Sequence, residues 1–248
     1  MKNKILSVNN LSKSIQSQND NLEIINNLSF TVYEGEFISI VGTSGCGKTT
    51  LLNILGNVEK NYSGSLKYHI DTSDIGYMLQ EPALFPWLTI KDNANIALKI
   101  KNLNNYELTS KLLREYGLEI FLNKYPQNLS GGMRQRVALI RTMSLKPKLL
   151  LLDEPFAALD YQSRLKIGND LKRITEKNNI TTIMITHDIS EALSLSSKII
   201  VLSKRPCYIK KIYELDFLND LSPFERRNTD VFNRYFENIC EDLELFEK

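Results

Sequence analysis

Nowhere in this chain do about 18 apolar residues follow one another, the length that crossing a bilayer requires, although apolar residues make up 42% of the 248. The opening stretch MKNKILSVNNLSKS has some positive charge but no apolar core of signal-peptide length, so we read no secretory leader there. Cysteine is scarce and odd in number. Cys46, Cys207 and Cys240 stand far apart, which excludes a disulfide framework and a zinc pattern and fits a reducing compartment. Net charge is only +2, so no basic excess announces nucleic-acid binding. The length allows one large domain or two small ones, either with a real core. Any work at a membrane has to be done through a membrane-embedded partner.

What the chain does have is a succession of short apolar runs. Those at 5–8, 24–32 and 37–41 read as strands, with YEGE at 33–36 as the turn between the last two. A helix is expected from Lys48 to about Asn57, followed by strand-like SLKYHID and IGYML. From 81 to about 147 the pattern is helical, with Asn- and Pro-containing loops, and reads as an inserted helical subdomain. KLLLLD (148–153), TTIMIT (181–186) and KIIVLS (198–203) are nearly continuous apolar runs, the mark of strands buried on both faces of a parallel sheet. Strands alternating with helices predict an α/β fold with a mainly parallel sheet. The segment at about 204–248 is expected to be a helical tail, with Phe232, Tyr235, Phe236, Ile239 and Leu243 at helical spacing.

Three stretches carry chemistry. GTSGCGKTT at 42–50 matches a phosphate loop, after the apolar strand FISIV and before a helix. In such a loop backbone N–H groups cradle phosphates, Lys48 reaches the β- and γ-phosphates and the Thr49 hydroxyl ligates Mg²⁺. LLLLDEP puts Asp153 and Glu154 at the carboxyl end of a buried strand, where ligands of open α/β sheets bind. Asp153 suits Mg²⁺ and Glu154 is the adjacent candidate for a general base. His187 and Gln80 also close strand-like runs; His69 is read as structural, inside a probable strand. LSGGMRQR at 129–136 poses a question: Ser130 is a good helix N-cap, yet Gly131 and Gly132 follow it. Each glycine costs a helix about 1 kcal/mol relative to alanine, so something has to approach that backbone closely.

GTSGCGKTT, Gln80, LSGGMRQR, LLLLDEP, AALD and His187 occur in the order and spacing of an ATP-binding cassette (ABC) ATPase, and the chain resembles that family over roughly 5–203. The resemblance implies a P-loop NTPase with a mainly parallel RecA-like core sheet, an N-terminal antiparallel β subdomain and an inserted α-helical signature subdomain, together one ABC ATPase domain over 1–248. It implies ATP and Mg²⁺ as cofactors. Gly42, Thr43, Ser44, Gly45, Cys46, Gly47, Lys48, Thr49 and Thr50 would surround the phosphates. Thr49, Gln80 and Asp153 would serve the metal, Gln80 would also sense the attacking water, Glu154 would act as base and His187 would contact the γ-phosphate. In the family two cassettes pair head to tail around two ATP molecules. Ser130, Gly131 and Gly132 of one would meet the γ-phosphate held by the other, with Asp160 at the interface. A helix N-terminus stripped of side chains suits such an anion clamp.

A narrower likeness is carried by LFPWLTIKDNANIAL (84–98), with Trp87 its most telling residue, and by LDEPFAALDYQSR and VLSKRPCYI. These resemble ATPases of nitrate, sulfonate and taurine importers, a group that also serves thiamine precursors. The likeness implies integral membrane permease subunits as partners, a homodimer or cassette pair on ATP binding, an extracytoplasmic solute-binding protein acting indirectly, and no nucleic acid. It places the chain peripherally on the cytoplasmic face of the cell membrane. DNA-repair cassettes need a coiled coil or zinc module between phosphate loop and signature, where only about eighty residues lie. Ribosome-acting ones hold two cassettes per chain. An exporter ATPase, or that of another importer, is the alternative. The chain departs from the pattern at Ile15, where an aromatic usually stacks on adenine, and at Ala157 and Cys207, where the subgroup often has glycine.

Overall fold

The computed structural model of the chain describes residues 2–16, 21–215 and 221–245. Two sheets organise them. β1 (Lys4–Gln16) and β2 (Asn21–Tyr33) pair antiparallel, and β4 (Ser63–Tyr68) pairs antiparallel with the other edge of β1. The second sheet runs β5 (Ile75–Met78), β6 (Leu149–Asp153), β7 (Thr181–Thr186), β3 (Phe37–Val41), β8 (Lys198–Leu202), β9 (Ile209–Glu214) across its width. Its neighbours are parallel except for β8 and β9.

The apolar runs form its centre because both faces are covered. Leu150 and Leu152 face a core shared with α2 (Ile90–Ile100), α3 (Glu107–Glu115), α4 (Gly131–Met143) and α5 (Tyr161–Lys177). Leu149 and Leu151 face the opposite core, beneath the antiparallel sheet and α1 (Lys48–Leu55). All four are fully buried, each contributing about 1.5–3 kcal/mol of burial free energy, so alternation toward one face alone would waste half of them. A third core joins α6 (Ile189–Leu195), α8 (Asp230–Asp242) and the β8–β9 edge. The short α7 (Pro223–Arg226) precedes α8.

The expectations at the two ends need correction. β1 runs far beyond the expected 5–8, because bulges interrupt its alternation between Val8 and Ser14. Asn10 sits there at φ 50°, and Asn27 on β2 at φ 52°; asparagine tolerates that region, and the polar residues around it hide the strand from a period-two reading. The segment after 203 is not simply a helical tail, since β9 lies in it. As a charged edge strand with only Tyr213 of its six residues buried, it lacks the apolar signal of its neighbours. His69 lies just past β4; its backbone N–H donates to the Ile5 carbonyl and its Nε2 is 3.1 Å from the Ser7 hydroxyl.

Candidate functional site

The loop 42–47 leaves the carboxyl end of β3 and runs into α1. Unlike the N-termini of α4, α5 and α6, that of α1 has no side-chain cap, so its first N–H groups stay open to an anion. Gly47 has φ 121°, and a Cβ there would stand 3.0 Å from Ile24 Cγ2 and 3.3 Å from Cys207 Sγ. Lys48 is buried and donates to the carbonyls of Gly42 and Thr43 at 2.8 and 2.9 Å. A cleft of about 570 Å³ opens beside the loop, lined by Ser44, Gly45, Thr49, Gln80, Glu154 and His187 among others.

Asp153, the last residue of β6, is 2% exposed. Burial pushes its carboxyl up, a hydrogen bond from the Thr49 hydroxyl opposes this, Glu154 adds to the rise and Lys48 opposes it. The chain then turns sharply. Glu154 has φ 45°, a region that costs a non-glycine residue of order 1–3 kcal/mol. Its N–H donates to the Ile185 carbonyl at 2.9 Å and its own carbonyl accepts from Gln135 Nε2 at 3.2 Å. The turn delivers the carboxylate between two expected site residues: His187 Nδ1 lies 3.2 Å from Oε1 and Gln80 Nε2 3.4 Å from Oε2.

Ser130, Gly131, Gly132 and Asp160 do not line that cleft. The Ser130 hydroxyl caps α4, accepting from the Met133 N–H at 3.3 Å, and Asp160 caps α5, accepting from the Ser163 N–H at 3.0 Å. A hydrogen bond from the Ser163 hydroxyl, and after it this backbone bond, hold the Asp160 carboxyl below its usual range. The two glycines have different reasons. A Cβ on Gly132 would come within 2.9 Å of Leu159 Cδ2 and 3.1 Å of the Ala158 carbonyl oxygen, whereas one on Gly131 would meet only Ala158 Cβ, at an ordinary 3.7 Å, and the far end of Arg134 at 4.0 Å. Contacts among the described residues therefore favour glycine at 132 and not at 131.

Three site neighbours escaped the sequence reading. Gln135, buried on α4, donates to the backbone carbonyls of both Gln80 and Glu154; its place in LSGGMRQR was the available signal. Arg205 lines the cleft and donates to the Gly45 carbonyl at 2.5 Å. Arg164 ties the 157–160 turn to the segment after His187, through the Leu159 carbonyl at 3.3 Å and the Asp188 carboxylate at 3.0 Å. Ile15 is half exposed and lines a separate cleft of about 700 Å³ with Ser12, Ser14 and Tyr62. Trp87 is 70% exposed, its ring 5.4 Å from that of Phe85.

The ABC transporter family model matches residues 25–157. The chain is similar to the aliphatic sulfonates import ATP-binding protein SsuB of Bacillus cereus, 34% identical over 96% of both chains. It is also similar to the spermidine/putrescine import ATP-binding protein PotA of Mycoplasma capricolum, 40% identical over 82% of this chain and 60% of that protein. Its fold is similar to that of the dimeric ABC transporter cassette MJ0796, with TM-score 0.77, 29% identity and coverage of 85% of this chain and 99% of that one. The same cassette has been seen as a dimer in a post-hydrolysis state bound to ADP and Pi.

Proposed function

The chain belongs to the ABC transporter family as an ATP-binding, ATP-hydrolysing subunit, and from that premise we propose that it energises an importer. In this reading two copies, or one copy and a paired cassette, close on two ATP molecules at the cytoplasmic face of the cell membrane. Closure drives integral permease subunits that receive solute from an extracytoplasmic binding protein.

The observation that carries the hydrolytic part of this reading is the Glu154 carboxylate, held between His187 Nδ1 and Gln80 Nε2 beside the cleft of Lys48. Glu154 takes a proton from the attacking water, Gln80 orients that water, and His187 donates to the γ-phosphate. Lys48 exchanges its loop carbonyls for phosphate oxygens, and the N–H groups of 43–50 surround the phosphate chain. Asp153, Thr49 and Gln80 fit Mg²⁺, because they offer oxygen donors and because a cation would relieve the buried Asp153 carboxyl. Once bound, Mg²⁺ offsets phosphate charge and orients the chain for attack.

That Ser130, Gly131, Gly132 and Asp160 lie outside their own cleft supports their action on the partner's nucleotide, and among the described residues no close contact would meet a side chain at Gly131. Import is supported by SsuB and PotA, both named for it. Their solutes differ; the PWLTIKDN segment favours the nitrate, sulfonate, taurine and thiamine-precursor group. The exposed Trp87 beside Phe85 supports a protein partner at that face.

The test is a pull-down of tagged Glu154→Gln protein with ATP from detergent-solubilised native membranes. A polytopic permease should copurify, and recovery of ribosomal or DNA-bound proteins in its place would overturn the transport assignment.

A further inference from the structure

The reading of the 570 Å³ cleft as a nucleotide site leaves one of its charged residues without a role. Arg205 comes from none of the stretches that resemble phosphate- or metal-binding motifs. It stands on the turn between β8 and β9, and that turn is built to be rigid. The Ser203 N–H donates to the Tyr208 carbonyl at 3.0 Å, and the Ser203 hydroxyl accepts from the Tyr208 N–H at 3.0 Å while facing the Lys204 and Pro206 carbonyls at 2.8 and 3.2 Å. Cys207 anchors it to β2, donating to the Ile24 carbonyl and accepting from the Asn26 N–H, both at 2.9 Å. The neighbouring cations are neutralised: Lys204 and Lys210 share Glu244 at 3.0 and 2.8 Å, and Lys211 lies 3.5 Å from Asp242. Arg205 differs. Among the described residues its guanidinium meets only the Gly45 carbonyl, at 2.5 Å, on the rim of the phosphate loop.

A rigidly mounted, unneutralised guanidinium is a strong attractor for a polyanion, because its planar fork matches phosphate oxygens and is always charged. The cleft's other strong cation, Lys48, is buried at the loop's base. We propose that Arg205 is a phosphate-binding residue of this site, exchanging the Gly45 carbonyl for oxygens of the triphosphate when ATP enters. It supplies a second clamp from outside the motifs. This inference rests on the nucleotide reading of the cleft.

The test measures MgATP and MgADP dissociation constants by calorimetry on the full chain, for wild type, Arg205→Ala, Arg205→Lys and Lys48→Ala, with melting curves of the nucleotide-free proteins. A charge-assisted contact of this kind is worth roughly ten- to a hundredfold in affinity. Arg205→Ala should weaken ATP by that factor and ADP by less, and should flatten the salt dependence of ATP binding; Arg205→Lys should recover part of the loss. Unchanged ATP affinity in Arg205→Ala overturns the proposal. So does equal weakening of ATP and ADP with a lowered melting temperature, which would make Arg205 only a brace for Gly45. Failure of wild type to bind MgATP, or Lys48→Ala binding as wild type does, would instead remove the nucleotide reading itself.

Discussion

Gln135→Ala tests whether the strained turn at Glu154 is held by the helix that begins with the double glycine. The side chain is buried and its amide donates to the Glu154 carbonyl at 3.2 Å and, more weakly, to that of Gln80 at 3.4 Å. Each such bond is worth about 1 kcal/mol net, the longer one less. The positive φ of Glu154 costs of order 1–3 kcal/mol, so the support removed is comparable to the strain opposed. Loss of about 1–2 kcal/mol should lower the melting temperature by roughly 2–8 °C for a chain of this size. With the turn freer to relax, the carboxylate leaves its place between His187 and Gln80 for part of the time. We expect kcat to fall at least about tenfold, while the KM for ATP stays near wild type, since Gln135 does not line the Lys48 cleft. Steady-state hydrolysis and a thermal melt suffice. A lowered melting temperature with unchanged kcat would refute the reasoning, because Gln135 would then stabilise the fold without positioning the carboxylate.

Three further outcomes are expected. Glu154→Gln should abolish turnover yet keep ATP binding and accumulate an ATP-bound dimer on a sizing column; normal steady-state hydrolysis would remove the base assignment. Gly132→Ala forces a Cβ to 2.9 Å from Leu159 Cδ2 and 3.1 Å from the Ala158 carbonyl oxygen, an overpacking that should destabilise the chain by about 1–3 kcal/mol, whereas Gly131→Ala, free of such contacts and relieved of the helix cost of glycine, should not lower the melting temperature; equal melting losses would contradict the distinction between the two glycines. Burial raises the Glu191 carboxyl from 4.5 to about 7, against the opposing Thr186 hydrogen bond and Arg164 charge, with Asp188 adding to the rise. The folded chain then holds a proton that the unfolded chain loses between those values, so this contribution is greatest below pH 4.5 and is lost as pH rises through 7. Glu191→Gln should therefore gain on wild type between about pH 5 and pH 8, by up to about 3 kcal/mol in denaturant titrations, and a pH-independent difference would count against it.

Part of this architecture is legible in the sequence. Leu149 to Leu152 are apolar without interruption, and no edge strand or amphipathic helix would carry such a run; burial on both sheet faces follows from it, and both faces are indeed covered. Asp153 and His187 were readable as strand-end groups for the same reason, each following such a run. β9 was not, because one buried residue in six leaves nothing for periodicity to register. The bulges of β1 broke the alternation that would have revealed its length.

By itself, then, the sequence determined what short windows can encode: buried strands, the glycine-rich turn into α1, and the order in which phosphate, metal and base candidates occur. Only the tertiary structure decided which remote groups meet. Gln135 reaches a carbonyl 55 residues away and Arg205 one 160 residues away, and nothing in the residues beside either one names that partner. Gly131 and Gly132 are the same residue in the same helix turn, yet only at Gly132 do Ala158 and Leu159 approach closely enough to crowd a Cβ. Those contacts depend on strand order and on helix placement against the sheet, which are properties of the whole packed chain rather than of any one segment.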